Sequence, residues 1–282
     1  MDPKRHVFSD RSERGKLEVT GPQRAWFLHQ ILTQAFEDMS AGDARDTALI
    51  TAHGRMVGYM ETLATDDAIL MHFEPELAGT LPDALRRYVF ATQVDVADVT
   101  VDYGLVLLVA PNWQEVAAEI APDAKAHRTL SLGVPAGYLW TAPDDVERVQ
   151  ADLKGRGFEQ ASEDELEELR VERGMARWGR DMTEKTLPPE AGLDEVAVHY
   201  DKGCYVGQEA MAKIRFRGKV NRRLRRLEAE VPLEVGAELK ADDVKVGTVT
   251  SAAGNRALAM VRYTIEPGTR VTAGDAAATV TE

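Results

Sequence analysis

The hydrophobic pattern changes character near Lys219, and this change limits the folds open to the chain. Downstream, short β segments such as Val246–Thr250, Ala257–Tyr263 and Arg270–Thr272 are split by Gly, Pro and Asp turns. The tail therefore reads as a small all-β module. Upstream, strands over Lys16–Thr20, Thr47–Ala52, Arg55–Leu63, Ala68–Phe73, Gln93–Val101 and Gly104–Ala110 are interleaved with helices over Leu77–Phe90, Trp113–Ile120 and Asp144–Lys154. Strands that return as hairpins favour α+β lobes over a doubly wound parallel sheet.

Helix starts are marked locally. Thr20 and Gln23 have capping-box spacing, with Pro22 in the first turn, and apolar residues then recur from Leu28 to Met39. That pattern predicts a helix ending before Gly42. Ser162 and Glu165 form a second box, opening an acidic helix through Arg173. The stretch WGRDMTEKTLPPEAGL is aperiodic and reads as a long structured loop.

Several function classes drop out early. The longest apolar stretch, Leu105 to Pro111, is far below the ~20 residues that span a bilayer. The charged N-terminus does not read as a secretory signal. Cys204 is the one cysteine, so an intrachain disulfide is excluded and a reducing cytoplasm is the expected setting. The net charge is −13, from 47 acids and 34 bases, which disfavours general nucleic-acid binding. No GxxxxGK[ST] or strand-linked GxGxxG occurs, and Gly54-Arg55 reads as a hairpin turn. The six histidines lack metal-ligand spacing and read as ordinary core or surface residues, so no stable metal of its own is expected.

Two features carry possible chemistry. From Lys213 to Arg226 there are eight cations and no acid. The alternation Lys213, Arg215, Arg217, Lys219 would put four cations on one face of an extended segment. Such a face is either simply solvated or an anion site for a carboxylate-bearing ligand or acidic partner. Cys204 follows Gly203, two positions after Lys202, in a loop also bounded by Gly207. A neighbouring ammonium favours the thiolate, the nucleophilic and metal-binding form. A lone cysteine can equally be a small buried apolar residue.

Lys202-Gly203-Cys204-Tyr205-Val206-Gly207-Gln208-Glu209 resembles the K-G-C-aromatic-x-G-Q-E signature of the YgfZ family of folate-binding proteins, relatives of the glycine-cleavage T-protein. The resemblance extends to VTGPQRAWFLHQILTQ, to GMARWGRDMTEKTLPPEAGL and to the G-x-V-T-S turn in VGTVTSAAGNRALAMVRY. It implies a T-protein-like cloverleaf of α+β lobes over about 1–217 and a C-terminal antiparallel β-barrel over about 218–282. It further implies a tetrahydrofolate-binding protein that supports assembly or repair of iron–sulfur enzymes, with iron–sulfur assembly proteins or client enzymes as partners. On this reading Cys204 carries the chemistry and Lys202 favours its thiolate. Tyr205, Gln208, Glu209, Lys213, Arg215 and Arg217 are the candidate folate contacts, the last three for a glutamate tail. Gln208 and Glu209 would steady the loop by bonding its backbone, although Glu209 equally suits the first turn of a helix.

The alternative is aminomethyl transfer of the T-protein type. The T-protein carries an acidic pair where this chain has Gly58 and Tyr59. Neither can serve as a carboxylate proton acceptor. The T-protein also holds its pterin with a glutamate, whereas Leu132–Trp140 contains no acid. These departures point away from the transferase.

Overall fold

The structure is a computed structural model that describes residues 6–218 and 220–281; the side chain of Arg217 and all of Lys219 lie outside the described residues. In chain order the first elements are β1 (Val7–Asp10), β2 (Gly15–Thr20), α1 (Arg24–Ile31), β3 (Ala44–Ile50), β4 (Met56–Ala64), β5 (Ala68–Phe73), α2 (Leu81–Arg86) and β6 (Asp95–Asp98). Then come β7 (Gly104–Val109), α3 (Trp113–Ile120), β8 (Lys125–Arg128), β9 (Ala136–Thr141), α4 (Val146–Gly155), β10 (Glu159–Gln160), α5 (Glu163–Arg173) and α6 (Gln208–Arg217). The last six strands are β11 (Arg222–Ala229), β12 (Glu238–Ala241), β13 (Val244–Ala253), β14 (Arg256–Arg262), β15 (Arg270–Ala273) and β16 (Ala276–Val280).

These strands make two five-stranded sheets and a barrel. The first sheet runs β3-β4-β5-β2-β6 and the second β10-β1-β7-β9-β8. The barrel closes in the order β11-β14-β13-β12-β15-β16, with antiparallel pairings throughout. The α+β reading with an antiparallel barrel is thus the observed architecture.

The buried strands explain how the layers stack. All six residues of β7, GLVLLV, are buried. Val106 and Leu108 pack under α3 and α4, whereas Leu105, Leu107 and Val109 face Leu63 and Leu70 of the first sheet. Alternate side chains of one strand therefore feed two cores. Helix α5, with the Ser162–Glu165 capping box formed and Gly174 ending it at φ 76°, closes the inter-sheet core through Leu166 and Leu169.

Three local expectations are corrected. Helix α1 stops at Ile31 because Leu32 turns extended and bridges Leu49, while Thr33 bonds Ala48 and Ala197. Tertiary pairing there overrides the apolar periodicity. Its N-cap is Gln23 with no side-chain cap; the Gln23 carboxamide instead accepts from the Gln93 backbone N–H at 2.7 Å. The helix expected over Leu77–Phe90 shrinks to α2, since Pro82 fits only a first turn.

Candidate functional site

The Lys202–Glu209 segment enters α6 from a turn, and both flanks of Cys204 are tied down. Cys204 itself is exposed. Lys202 is buried, and its ammonium donates to the carbonyls of His29 and Leu32 at 2.5 Å and of Gln34 at 2.7 Å. It also lies 4.6 Å from the Tyr205 ring centre. Burial lowers the Lys202 ammonium to about 7, and the Glu37 carboxylate opposes that shift. The expected support of a Cys204 thiolate is not among these contacts: the three donors of Lys202 are spent on the end of α1.

On the other flank, Gly207 has φ 82° and a Cβ there would stand 2.5 Å from the Thr51 carbonyl. Gly54, at the tip of the β3–β4 hairpin, has φ 81°, and a Cβ on it would stand 2.6 Å from Met211 of α6. Two glycines thus let hairpin and helix touch. Gly54 does more than make a turn.

The remaining candidates scatter. Tyr205 is buried, with a hydroxyl lacking a hydrogen-bond partner among the described residues, and burial pushes its phenol up to about 12. Gln208 is half-buried, and its backbone N–H donates to the Tyr205 carbonyl at 3.2 Å. Glu209 faces out and bonds Lys213 one turn on. It serves the first turn of α6 and that ion pair. The extended cationic face is a correction: Gln208–Arg217 is helical, so Lys213 and Arg215 point to different sides. Arg215 stacks 4.3 Å over Tyr200 and borders an open cleft of about 440 Å³ with His199 and Arg223. Arg217 belongs to the same candidate group, but its side chain lies outside the described residues.

A second polar cluster lies between the sheets, built from residues that the sequence presents as ordinary ones. Register sets Asp46 opposite Glu61, Glu61 opposite His72 and His72 opposite Lys16, in one row across four strands. All four are buried. The second sheet answers with His127, Tyr138 and Trp140. Arg14 Nε donates to His72 Nδ1 at 2.9 Å, Trp140 Nε1 donates to His127 Nδ1 at 3.3 Å, and Tyr59 donates to Asp46 at 2.6 Å. Both carboxyl oxygens of Glu61 are buried without a hydrogen-bond partner among the described residues, with Arg14 3.7 Å away. Burial, then the Asp46 charge, raises the Glu61 carboxyl to about 8. Burial, then Arg14, holds His127 down at about 3.

Glu61, His72 and His127 bring donor atoms within 4.8 Å of one another, close enough to consider a metal. The hydrogen bonds argue otherwise. A metal needs the Nε2 lone pair of both rings, with each Nδ1–H donating outward. Here each Nδ1 accepts from an obligate donor, so each neutral ring carries its hydrogen on Nε2 and neither Nε2 offers a lone pair to a metal. The Arg14 guanidinium adds a repelling charge.

The sign of the pH effect follows from Glu61. Its folded value near 8 lies above the unfolded ~4.3, so the folded state holds the extra proton between them. This contribution is full below about pH 4 and is lost as pH rises through about 8. In urea unfolding, the stability of wild type relative to Glu61→Gln should fall by a few kcal/mol between pH 5 and pH 9, the opposite slopes from Lys202, His72 and His127 being common to both proteins. An unchanged slope in the Glu61→Gln variant would place the titrating group elsewhere.

The slit beside this cluster is narrow. About 30 Å³ is open, lined by residues including Arg14, Tyr59, Glu61, Glu74, Tyr138 and Trp178. Arg177 bridges Glu74 and Glu163, Arg14 meets Glu74, and Arg11 meets Glu163. A chain of ion pairs therefore closes the slit.

Comparison with known proteins fits this geometry. The CAF17 C-terminal beta-barrel domain family matches residues 221–282. A chloroplastic protein of Arabidopsis thaliana, provisionally named a transferase, is 27% identical over 89% of this chain and 62% of its own length, so the chain spans under two thirds of that relative. An uncharacterized protein of Haemophilus influenzae is 31% identical over 84% of this chain and 80% of its own. A mitochondrial IBA57 homolog of Pyricularia oryzae, named an iron-sulfur cluster assembly factor, is 25% identical over 77% of this chain and 56% of its own. Among solved structures, the glycine cleavage system aminomethyltransferase T of Bartonella henselae superposes with a TM-score of 0.88 at 19% identity, covering 99% of this chain and 86% of that one. The lobes and barrel thus follow the T-protein fold, the C-terminal barrel is of the CAF17/YgfZ type, and the chain's homologues are YgfZ/IBA57-like and aminomethyltransferase-like proteins.

Proposed function

We propose that this chain supports the assembly or repair of iron–sulfur enzymes, 4Fe–4S enzymes in particular, through Cys204. The observation that carries the reading is one exposed cysteine on a loop tied at Lys202 and Gly207. A relative named as an iron–sulfur cluster assembly factor, covering 77% of the chain, supports it. One thiolate falls short of the four that usually hold a 4Fe–4S cluster. Contact with a cluster is therefore shared with an assembly protein, a client enzyme or a small thiol.

Tetrahydrofolate belongs to this proposal as a bound ligand rather than a consumed cofactor. The slit suits it in chemistry: an unpartnered carboxyl at Glu61, aromatic walls at Tyr59, Tyr138 and Trp178, and nearby arginines. It does not fit in volume. An opening of about 30 Å³ holds about two waters, whereas ligand pockets start at about 300 Å³. Binding there requires the Arg14–Glu74–Arg177 pairs to separate. Of the described folate candidates on the signature loop and α6, Arg215 borders a cleft of ligand size.

Aminomethyl transfer has weaker support from the residues. The Gly58 position is packed against Leu77 and Leu81, and the Tyr59 hydroxyl is engaged by Asp46.

Cells lacking this gene provide the test. Wild type should restore the activity of a 4Fe–4S enzyme, and Cys204→Ser should not, at equal protein level. Equal rescue by both would overturn the cysteine reading.

A further inference from the structure

The basic run in the sequence continues past the folate candidates into the barrel, where Arg223 also borders the Arg215 cleft. Part of it, Arg223 to Arg226, lies on β11, where the barrel meets the end of α5. A cleft of about 290 Å³ opens there, between Arg173–Gly174 on one side, Pro189–Asp194 on another, and β11. Four guanidinium groups line it: Arg173, Arg223, Arg225 and Arg226. Arg226 donates to the Glu172 carbonyl at 3.1 Å. Arg225 reaches Glu266 only at 3.9 Å, and its Nε is buried without a hydrogen-bond partner among the described residues. Arg173 and Arg223 are exposed, and neither has a carboxylate within ion-pair distance among the described residues.

This is unusual for the chain. Acids outnumber bases 47 to 34, so partners for cations are plentiful. Arg14, Arg45, Arg148, Arg170 and Arg177 each hold a carboxylate. In the cleft the acids are Glu190 and Asp194. Glu190 is already occupied by Arg222 and by the Leu187 backbone N–H. Arg225 and Arg226 have partners of their own, so among the described residues one free acid faces the two unpaired guanidinium groups of Arg173 and Arg223. Arg173 also complements the carbonyl end of α5, but that role needs no second arginine across a gap.

We propose that this cleft is an oxyanion site, taking a ligand group with two or more negative charges. Guanidinium forks on facing walls suit phosphate or paired carboxylates, which they bind through two parallel hydrogen bonds. The cleft volume, close to the lower end for small-ligand pockets, fits a group of that size. The site does not depend on the iron–sulfur reading.

Calorimetric titration of the full chain with pyrophosphate and with a tetraglutamate peptide tests it. At least one probe should bind with one-to-one stoichiometry, pyrophosphate alone marking a phosphate ligand and tetraglutamate alone a carboxylate chain. Arg173→Gln with Arg223→Gln should weaken that binding about tenfold or more. Arg87→Gln, an exposed arginine outside the cleft, should leave it unchanged. Binding of neither probe, binding unaltered in the double variant, or equal weakening by Arg87→Gln would each overturn the site.

Discussion

Asp181→Ala should cost about 3–5 kcal/mol and loosen the barrel from the lobes. The Asp181 side chain is fully buried and accepts from Arg170 Nη1 at 2.5 Å, from Thr250 Oγ1 at 2.5 Å, from Ser251 Oγ at 2.8 Å and from the Arg177 backbone N–H at 3.1 Å. Arg170 Nη2 in turn donates to Ser251 Oγ at 2.7 Å. One carboxylate thus joins α5, the loop after it and strand β13. Removing it leaves a buried guanidinium and the Ser251 hydroxyl short of an acceptor, whereas Thr250 keeps the Leu258 carbonyl at 3.2 Å. The intact Glu167–Arg170 pair limits the loss. Urea unfolding gives the magnitude, and limited proteolysis between the lobes and β11 reports the loosening. A change under about 1 kcal/mol with no new cleavage would mean that the barrel is held by its apolar contacts instead.

Lys202→Met should cost about 3 kcal/mol, because the stem is kept while three carbonyls lose a charged donor. Those carbonyls belong to the end of α1 and the turn after it, where intrahelical partners have run out. Arginine should not rescue: its planar fork cannot place three donors around one point as an ammonium does. The local readout is the rate at which Cys204 is alkylated, which should rise as the loop loosens. Full stability in Lys202→Met with unaltered alkylation would reduce Lys202 to a replaceable neighbour.

What is legible in the chain is local. The Ser162–Glu165 box opens α5 and the helix runs through Arg173 as expected, since capping acts within a few residues. The closely spaced turns after Lys219 announce a β module, and the barrel follows. The G-x-V-T-S motif has a physical reason visible only in space. A Cβ on Gly247 would stand 2.7 Å from the Met260 carbonyl, and Thr250 and Ser251 both donate to Asp181.

What is not legible depends on register and packing. Glu61, His72 and His127 are far apart in sequence and meet because strand pairing and sheet stacking align them. A faint signal exists: polar residues stand inside the otherwise apolar strands AILMHF and METLA. The basic run misleads for a different reason. Cations at every second position imitate a strand, yet Gln208-Glu209-Ala210-Met211-Ala212-Lys213 is made of strong helix formers, and they decide the segment.

The two ties around Cys204 bear on how a partner could use it. A sulfur on a free loop would lose about 1–2 kcal/mol per immobilised residue when captured. Here the residues on either side are already held, by an ammonium on one flank and a glycine contact on the other. That entropy is spent during folding rather than during the encounter. The thiol is offered as a fixed point on the surface, and a partner that captures it need not order the loop first.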